Sequence, residues 1–139
     1  MRKGRKLLVV PGSTNKPKKE IIDILDRNKV PYEKVEAELV GDEPIVWVTT
    51  PQEKKAKEVL KREGIKSFTS EVTILRLSDK PGELAKIARI LTATGITVKD
   101  AHLILKSKKH ALYGMTTNRP RETEKIIAKL ETLLKEGKE

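Results

Sequence analysis

The chain has 139 residues, with 30 Lys and Arg against 20 Asp and Glu, and 37% of its side chains are hydrophobic, enough for one domain or two small ones. It contains no cysteine, which excludes disulfide frameworks, thiolate metal sites and cysteine nucleophiles. No apolar run is longer than Leu7–Val10, far short of the roughly 20 residues that span a membrane, and no signal-peptide core follows the basic start. We therefore expect a soluble, cytoplasmic protein, and the excess of Lys and Glu is typical of thermophiles.

The positive charge is spread over both halves of the chain. Residues 1–70 carry 16 basic and 11 acidic side chains, and residues 71–139 carry 14 and 9. A net charge of +10 has the sign that nucleic acid requires, but basic and acidic residues alternate as on a solvated helix face. The four aromatic residues, Tyr32, Trp47, Phe68 and Tyr113, are too few for a surface that stacks bases. The sequence therefore disfavours nucleic acid as a partner.

A weak internal repeat emerges at an offset of 66 residues. Each half has the pattern strand, helix, strand, strand, helix, and the matched positions keep polarity and spacing more than identity. The repeat predicts helices that start near Lys16 and Lys80, and equivalent core positions for Trp47 and Tyr113. The matched pairs are Leu25 with Leu91, Val30 with Ile96, Leu39 with Leu105, Trp47 with Tyr113, Thr50 with Thr116 and Leu60 with Ile126.

The first unit begins with a predicted strand at Leu7–Val10, followed by a helix whose apolar stripe includes Leu25. A hairpin comes next. Thr50-Pro51-Gln52-Glu53 then has the form of a capping box with proline at the first helical position, which predicts the start of a second helix. Ile65–Ser70 supplies a fourth strand.

The second unit begins with a predicted strand at Glu71–Ser78 and almost no linker. Its first helix has an apolar stripe and ends at Gly95. A hairpin and a C-terminal helix follow, and only the short polar stretch Glu136–Glu139 remains, so a fourth strand is missing. The stripe consists of Leu84, Ile87, Ala88 and Leu91.

The two hairpins are predicted from the alternation of apolar side chains. In the second hairpin, a turn at Ser107–Lys109 places the apolar side chains of both strands on one face. The repeat then places the turn of the first hairpin at Gly41–Glu43. The predicted pairs are Leu105 with Ala111, Leu103 with Tyr113 and Ala101 with Met115 in the second hairpin, and Leu39 with Ile45 and Ala37 with Trp47 in the first.

These elements predict an α+β protein of two ferredoxin-like βαββαβ units, at residues 1–70 and 71–139, with the last strand of the second unit missing. The second sheet either has three strands or is completed by another chain or segment. Because open edges favour pairing, we expect a homo-oligomer, at least a dimer.

The stretch Val72–Val98 carries a strand, Asp79-Lys80-Pro81-Gly82, an L-A-x-I-x-x-x-L helix and Gly95-Ile96-Thr97-Val98. It closely resembles the start of an ACT domain, the small-molecule regulatory module of amino-acid metabolism, with its D-x-P-G loop and G-I-N-I strand. The first unit is similar only through the repeat, since Pro11–Pro17 is not a D-x-P-G loop. The resemblance implies a tandem ACT protein with a degenerate first unit.

The residues around Gly82 predict an anion site, because a helix that opens there points unpaired N–H groups outward. Glycine also lets a ligand approach the backbone. The resemblance implies a free amino acid bound between this loop and the next strand, usually across a contact between two ACT units, with Asp79 facing its ammonium. Thr97 stands where the family often has Asn. The predicted ligand-binding residues are Ser78, Asp79, Pro81, Gly82, Glu83, Leu84, Ile96, Thr97 and Val98.

Two alternatives at the loops remain open. The second loop is also explained as a capped turn, with Asp79 as the helix N-cap and Pro81 in the first turn. A second possible ligand loop lies in the first unit, where ordinary turn chemistry is the favoured interpretation. Its residues are Gly12, Ser13, Thr14 and Asn15.

No residues suggest catalysis or a metal site. His102 and His110 lie too far apart on the predicted hairpin to share a metal, and no nucleophile is paired with a base. We therefore expect a protein that is not an enzyme, needs no cofactor, and reports amino-acid binding through its own assembly or a partner enzyme. The alternative is a ferredoxin-like interaction protein that binds a polypeptide or nucleic acid without a small ligand.

Overall fold

The structure is a computed structural model, and it describes residues 6–78 and 82–137. The chain divides into two compact units between Ser70 and Glu71. In each unit, helices pack on one face of an antiparallel sheet, so the predicted α+β fold class is confirmed. None of the helices in the described part combines the length and hydrophobicity that a membrane span needs.

The first unit has four strands and two helices. The sheet order is β2-β3-β1-β4, and all neighbouring strands are antiparallel. The elements are β1 (Lys6–Val10), α1 (Pro17–Arg27), β2 (Lys34–Val40), β3 (Glu43–Thr49), α2 (Glu53–Arg62) and β4 (Lys66–Phe68).

The second unit has three strands and two helices in its described part, in the sheet order β5-β7-β6. No described strand lies on the outer side of β5, the place that β4 takes beside β1, so the prediction of a missing last strand is confirmed for these residues. The elements are β5 (Thr73–Ser78), α3 (Glu83–Ala93), β6 (Val98–Ser107), β7 (His110–Thr117) and α4 (Pro120–Gly137).

Each unit has its own hydrophobic core between helices and sheet. In the first, Leu7 of β1 and Val46 of β3 pack with Leu25 of α1 and Leu60 of α2, and all four are 0% exposed. In the second, the predicted helix stripe is confirmed, since Ile87 and Leu91 are buried and Leu84 packs against the same core. Complete burial of such a side chain stabilises the fold by roughly 1.5–3 kcal/mol.

Three helices end in the same hydrogen-bonded turn. A residue with a left-handed backbone comes after the helix, and the residue after that one is apolar. The left-handed residues are Lys29 after α1, Gly64 after α2 and Gly95 after α3, with φ of 55°, 77° and 88°. The N–H of the next residue bonds to a leucine carbonyl one and a half turns back, as in Val30 to Leu25, Ile65 to Leu60 and Ile96 to Leu91. This turn fixes where the chain leaves each helix.

The offset of 66 residues is confirmed for α1 and α3, whereas α2 and α4 begin 67 positions apart, at Glu53 and Pro120, and so share the shift of the strands. Helices α1 and α3 begin 66 positions apart, at Pro17 and Glu83, whereas β3 and β7 begin 67 apart, at Glu43 and His110. As a result Tyr113 packs against the core of its unit, and its counterpart in the first core is Val46. The predicted equivalence of Trp47 and Tyr113 is therefore wrong. Trp47 lies on the opposite face of its sheet, where its Nε1 donates to Glu38 Oε1 at 2.6 Å.

The predicted turns are one residue too long. Both hairpins have two-residue turns, at Gly41–Asp42 and Lys108–Lys109, whose first residue is left-handed. In the first hairpin this moves the register by one, so Ala37 pairs with Val46 and Leu39 with Pro44. In the second hairpin Leu103–Tyr113 and Ala101–Met115 are confirmed, but an irregularity between Leu103 and Leu105 pairs Leu105 with Leu112 instead of Ala111.

The predicted capping box before α2 is wrong in detail. The helix starts at Glu53, and its N-cap residue Gln52 makes no side-chain cap bond. Thr50 Oγ1 instead accepts the N–H of Gln52 at 3.0 Å and donates to the Pro31 carbonyl at 2.6 Å. In a capping box the Glu53 carboxylate would bond to the backbone at the start of its own helix, but here it accepts hydrogen bonds from Ser70.

Candidate functional site

The candidate site is centred on the start of α3. Gly82 is the N-cap residue, with φ of 86° and ψ of −7°, and none of the described side chains caps the helix. An added Cβ at Gly82 would meet nothing within 4 Å. The left-handed backbone therefore favours glycine, and the space beside it is open in the described structure.

Glu83 and Ser78 close the base of this loop. The backbone N–H of Ser78 donates to Glu83 Oε1 at 3.1 Å, and the Ser78 hydroxyl donates to Oε2 at 2.6 Å. These bonds hold the end of β5 against the first turn of α3. Because the Glu83 carboxylate already interacts with the positive end of the helix dipole, an incoming anion gains less there than at an uncharged helix start.

The same contact occurs in the first unit. The N–H and hydroxyl of Ser70 donate to Glu53 Oε1 and Oε2 at 2.6 and 2.8 Å. Glu53, like Glu83, is the first residue of its helix. Sequence reasoning missed both contacts, although a serine near the end of a strand and a glutamate at a helix start are a usable signal.

Asp79 and Pro81 lie outside the described residues, so their predicted roles remain predictions. The described part of the loop consists of Ser78 and the residues from Gly82 onward. Among the described residues, no acceptor takes the backbone N–H of Glu83 or Leu84.

The other half of the predicted site is the start of β6. Ile96 is 2% exposed in the core and Val98 packs against it, so their side chains support the fold. Thr97 is exposed, and both its N–H and its carbonyl bond to Asn118, a residue that the sequence analysis missed. Its N–H donates to Asn118 Oδ1 at 2.9 Å, and its carbonyl accepts the Asn118 N–H at 3.2 Å.

The structure does not bring these two halves together within the unit. Ser78 pairs with His110, and His110 pairs with Ser107 at the far end of β6. Val98, at the start of β6, pairs with Thr117 at the other end of the sheet. With ten residues in β6 at about 3.3 Å each, the halves are separated by roughly 30 Å along the strand direction.

The loop of the first unit has ordinary turn chemistry. Thr14 Oγ1 accepts the N–H of Lys16 at 3.2 Å, and Lys16 is the N-cap of α1 without a side-chain cap bond. Gly12 has φ of 79° with open space around it. Ser13 and Asn15 are exposed.

The histidines form no metal site in the described part of the chain, which holds no group of three or more potential ligands. His102 Nδ1 lies 3.0 Å from Asp100 Oδ2 on the exposed strand β6. His110 begins β7 next to the turn, where it pairs with Ser107, whereas His102 pairs with Gly114 in the middle of the hairpin.

Comparison with known families decides the relationship. The sequence profile of the ACT domain pair family matches residues 35–138. The chain belongs to the ACT domain pair family. This confirms the predicted tandem ACT arrangement, although the first unit lacks the D-x-P-G loop. No curated protein matches this ACT pair chain at a significant level.

Several solved structures resemble the ACT pair chain at low identity. A protein from Bacteroides thetaiotaomicron has 15% identity and a TM-score of 0.45, covering 92% of this chain and 88% of its own. The regulatory subunit of aspartate kinase from Thermus thermophilus has 9% identity, a TM-score of 0.40 and coverages of 90% and 91%. Aspartate kinase of Clostridium acetobutylicum has 12% identity and a TM-score of 0.38, and the match covers 88% of this chain and 31% of that one. The family assignment rests on the profile match.

Proposed function

We propose that this ACT pair protein is a regulatory protein that binds a free amino acid at the start of α3. Binding then changes the assembly of the protein or the activity of a partner enzyme. The observation that carries the proposal is the helix start at Gly82, where no described acceptor takes the N–H of Glu83 or Leu84 beside a left-handed glycine. Membership in a family of small-molecule regulatory modules supports the same role.

The chemistry of the site favours an amino acid. A ligand carboxylate would accept hydrogen bonds from the N–H groups at the helix start, which is also the positive end of the helix dipole. Asp79 would bind the ligand ammonium. The carboxylate of Glu83, held by Ser78 in the first turn of α3, adds negative charge at the helix start and so favours a zwitterion over a simple carboxylate.

The separated halves of the site imply two ACT units per ligand. Ser78 at the end of β5 and Val98 at the start of β6 lie at opposite ends of the same sheet, so one small molecule cannot touch both within one unit. A ligand bound by both halves therefore joins the loop of one unit to the strand start of another. In a homo-oligomer, the ligand stabilises the arrangement that buries it, which is a population shift.

A thermal-shift screen against the twenty amino acids tests the proposal directly. An amino acid present at 100 times its dissociation constant adds about 2.7 kcal/mol to the free energy of unfolding and raises Tm. If no amino acid changes Tm or the sedimentation coefficient, the proposed function is wrong.

Two glycine variants then locate the site. Gly82→Ala puts a methyl group beside the helix start, and Gly64→Ala is a matched control with φ of 77° and equally open surroundings. Both lose stability, because a Cβ in a left-handed residue costs about 1–2 kcal/mol. Only Gly82→Ala is expected to weaken amino-acid binding, by tenfold or more in calorimetry. Equal affinities in the two variants would place the ligand elsewhere.

A further inference from the structure

Asn118 is joined to the start of β6 by two hydrogen bonds with Thr97. The Asn118 N–H donates to the Thr97 carbonyl at 3.2 Å, and Asn118 Oδ1 accepts the Thr97 N–H at 2.9 Å. Because only the amide oxygen can accept an N–H, this bond fixes which side-chain atom contacts Thr97 and leaves the two donors on Nδ2 for another group. Both residues are exposed, and in the described part of the chain neither Asn118 Nδ2 nor the Thr97 hydroxyl has a hydrogen-bond partner.

Buried threonines hold the loop that carries Asn118. Thr117 is 4% exposed and Thr123 is 0% exposed, and their hydroxyl oxygens lie 2.8 Å apart. The N–H of Arg119 donates to Thr117 Oγ1 at 3.2 Å, and the Arg119 carbonyl accepts the N–H and the hydroxyl of Thr123 at 3.0 and 2.8 Å. These bonds tie the end of β7 to the first turn of α4. Asn118 therefore lies on a preorganised segment, as a residue that selects a ligand must.

The first unit makes the same connection without this polar pair. With the offset of 66 positions before the hairpins and 67 after them, Thr97 corresponds to Pro31 and Asn118 to Pro51. The bond between these segments comes instead from Thr50, whose hydroxyl donates to the Pro31 carbonyl at 2.6 Å. Proline has neither a backbone N–H nor a polar side chain. The fold therefore does not require an asparagine and a threonine at these two positions.

The groups around Thr97 define what kind of ligand atom can bind there. The N–H and carbonyl of Thr97 are already bonded, and the side chains of Ile96 and Val98 pack in the core. Of the side chains at these positions, the Thr97 hydroxyl and Asn118 Nδ2 remain for a ligand. Because Nδ2 can only donate, it selects a hydrogen-bond acceptor.

We propose that Asn118 is a specificity-determining residue that donates from Nδ2 to an oxygen in the side chain of the bound amino acid. The inference rests on the proposed function, in which the start of α3 binds the ligand carboxylate and ammonium. The ligand side chain is then the part that reaches the start of β6. The ligand class is therefore the amino acids with a hydroxyl, amide or carboxylate oxygen in the side chain. An aliphatic or cationic side chain would cover the two donors without bonding to them, and a buried donor without a partner is unfavourable.

The test compares two asparagine variants of the full chain. Asn118→Asp keeps an oxygen for the Thr97 N–H and removes both donors. Asn28→Asp is the matched control with the same chemical change, at the end of α1, where Asn28 Nδ2 donates to the Ile24 carbonyl at 2.8 Å. Calorimetry measures the affinities of serine, threonine, asparagine, glutamine, aspartate and glutamate, and of alanine, leucine and lysine as probes without a side-chain oxygen. The uncharged side chains in the first group separate the loss of the donors from repulsion by the new carboxylate.

We expect the tightest probe to carry a side-chain oxygen. Asn118→Asp should raise the dissociation constant of the tightest probe with an uncharged side chain at least tenfold and keep the Tm of the unliganded protein. Asn28→Asp should lower Tm and change the same constant less than twofold. Tightest binding of alanine, leucine or lysine would overturn the inference and leave the proposed function standing, as would wild-type affinity in Asn118→Asp. Binding of none of the nine probes would overturn both.

Discussion

Glu53 holds Ser70 with both carboxylate oxygens, at 2.6 Å from its backbone nitrogen and 2.8 Å from its hydroxyl. Glu53 is only 6% exposed, so this is a buried carboxyl group with two hydrogen bonds that join the start of α2 to the end of the unit.

Replacing Glu53 with alanine should therefore destabilise the protein strongly. Hydrogen bonds to charged groups contribute about 1.5–3 kcal/mol each, and we expect a loss of about 2–4 kcal/mol in the free energy of unfolding. Urea unfolding measures it. The control is Glu58→Ala, which removes an exposed ion pair with Arg62 and should cost less than about 1 kcal/mol. Similar losses in the two variants would contradict the prediction.

Lys29 is left-handed at the end of α1, where the second unit has Gly95. We expect Lys29→Gly to stabilise the chain by about 0.5–1 kcal/mol, since relief of the backbone outweighs the added freedom of the unfolded state. Gly95→Lys is the reciprocal variant and should lose about 1–2 kcal/mol. Differential scanning calorimetry would show the two Tm shifts, and shifts of the same sign would refute the explanation.

Ser67 carries a buried hydroxyl without a hydrogen-bond partner among the described residues. It is 6% exposed and pairs with Val9 on the helix side of the sheet. Ser67→Ala removes an unsatisfied polar group and should stabilise the fold by about 1 kcal/mol. Ser70→Ala is the contrasting variant, because that hydroxyl is bonded to Glu53 and its loss should destabilise. Destabilisation by Ser67→Ala in urea titrations would show that the hydroxyl is satisfied.

Tyr32 has a raised pKa, above its ordinary value of 10.0, because burial disfavours the phenolate and because Asp26 accepts its hydrogen bond and repels the negative charge. The folded state therefore holds the phenol proton more tightly. Its contribution to stability is complete below pH 10.0 and is lost as pH rises toward the raised folded pKa. Ultraviolet titration in a Tyr113→Phe background should show late ionisation, and Asp26→Asn should lower the midpoint. An unchanged midpoint in Asp26→Asn would exclude the aspartate as a cause.

The sequence predicted what periodicity and spacing encode. The stripe of α3, the offset between the starts of α1 and α3, and the lack of a strand on the outer side of β5 in the described part of the chain all follow from patterns of polarity. The register of the hairpins was missed because a two-residue turn at Gly41–Asp42 and the longer predicted turn leave similar alternation on the strands. Register changes by one residue reverse the faces, which is why Trp47 was misplaced.

The candidate site was predicted only in part, because its contacts are not periodic. The loop at Gly82 was found from a motif, and its left-handed backbone agrees with that motif. The bonds from Ser78 to Glu83 and from Thr97 to Asn118 depend on single side chains and on the ends of separate elements. No pattern of hydrophobicity marks such bonds in advance.

The placement of Ser78 and Val98 at opposite ends of one sheet has a consequence for every titration of this protein. If each ligand is enclosed by segments from two copies, its apparent affinity becomes a function of protein concentration. Dilution then weakens binding as effectively as a mutation does. A dissociation constant measured at one concentration would describe that concentration alone, and the protein would respond jointly to the supply of its ligand and to its own abundance.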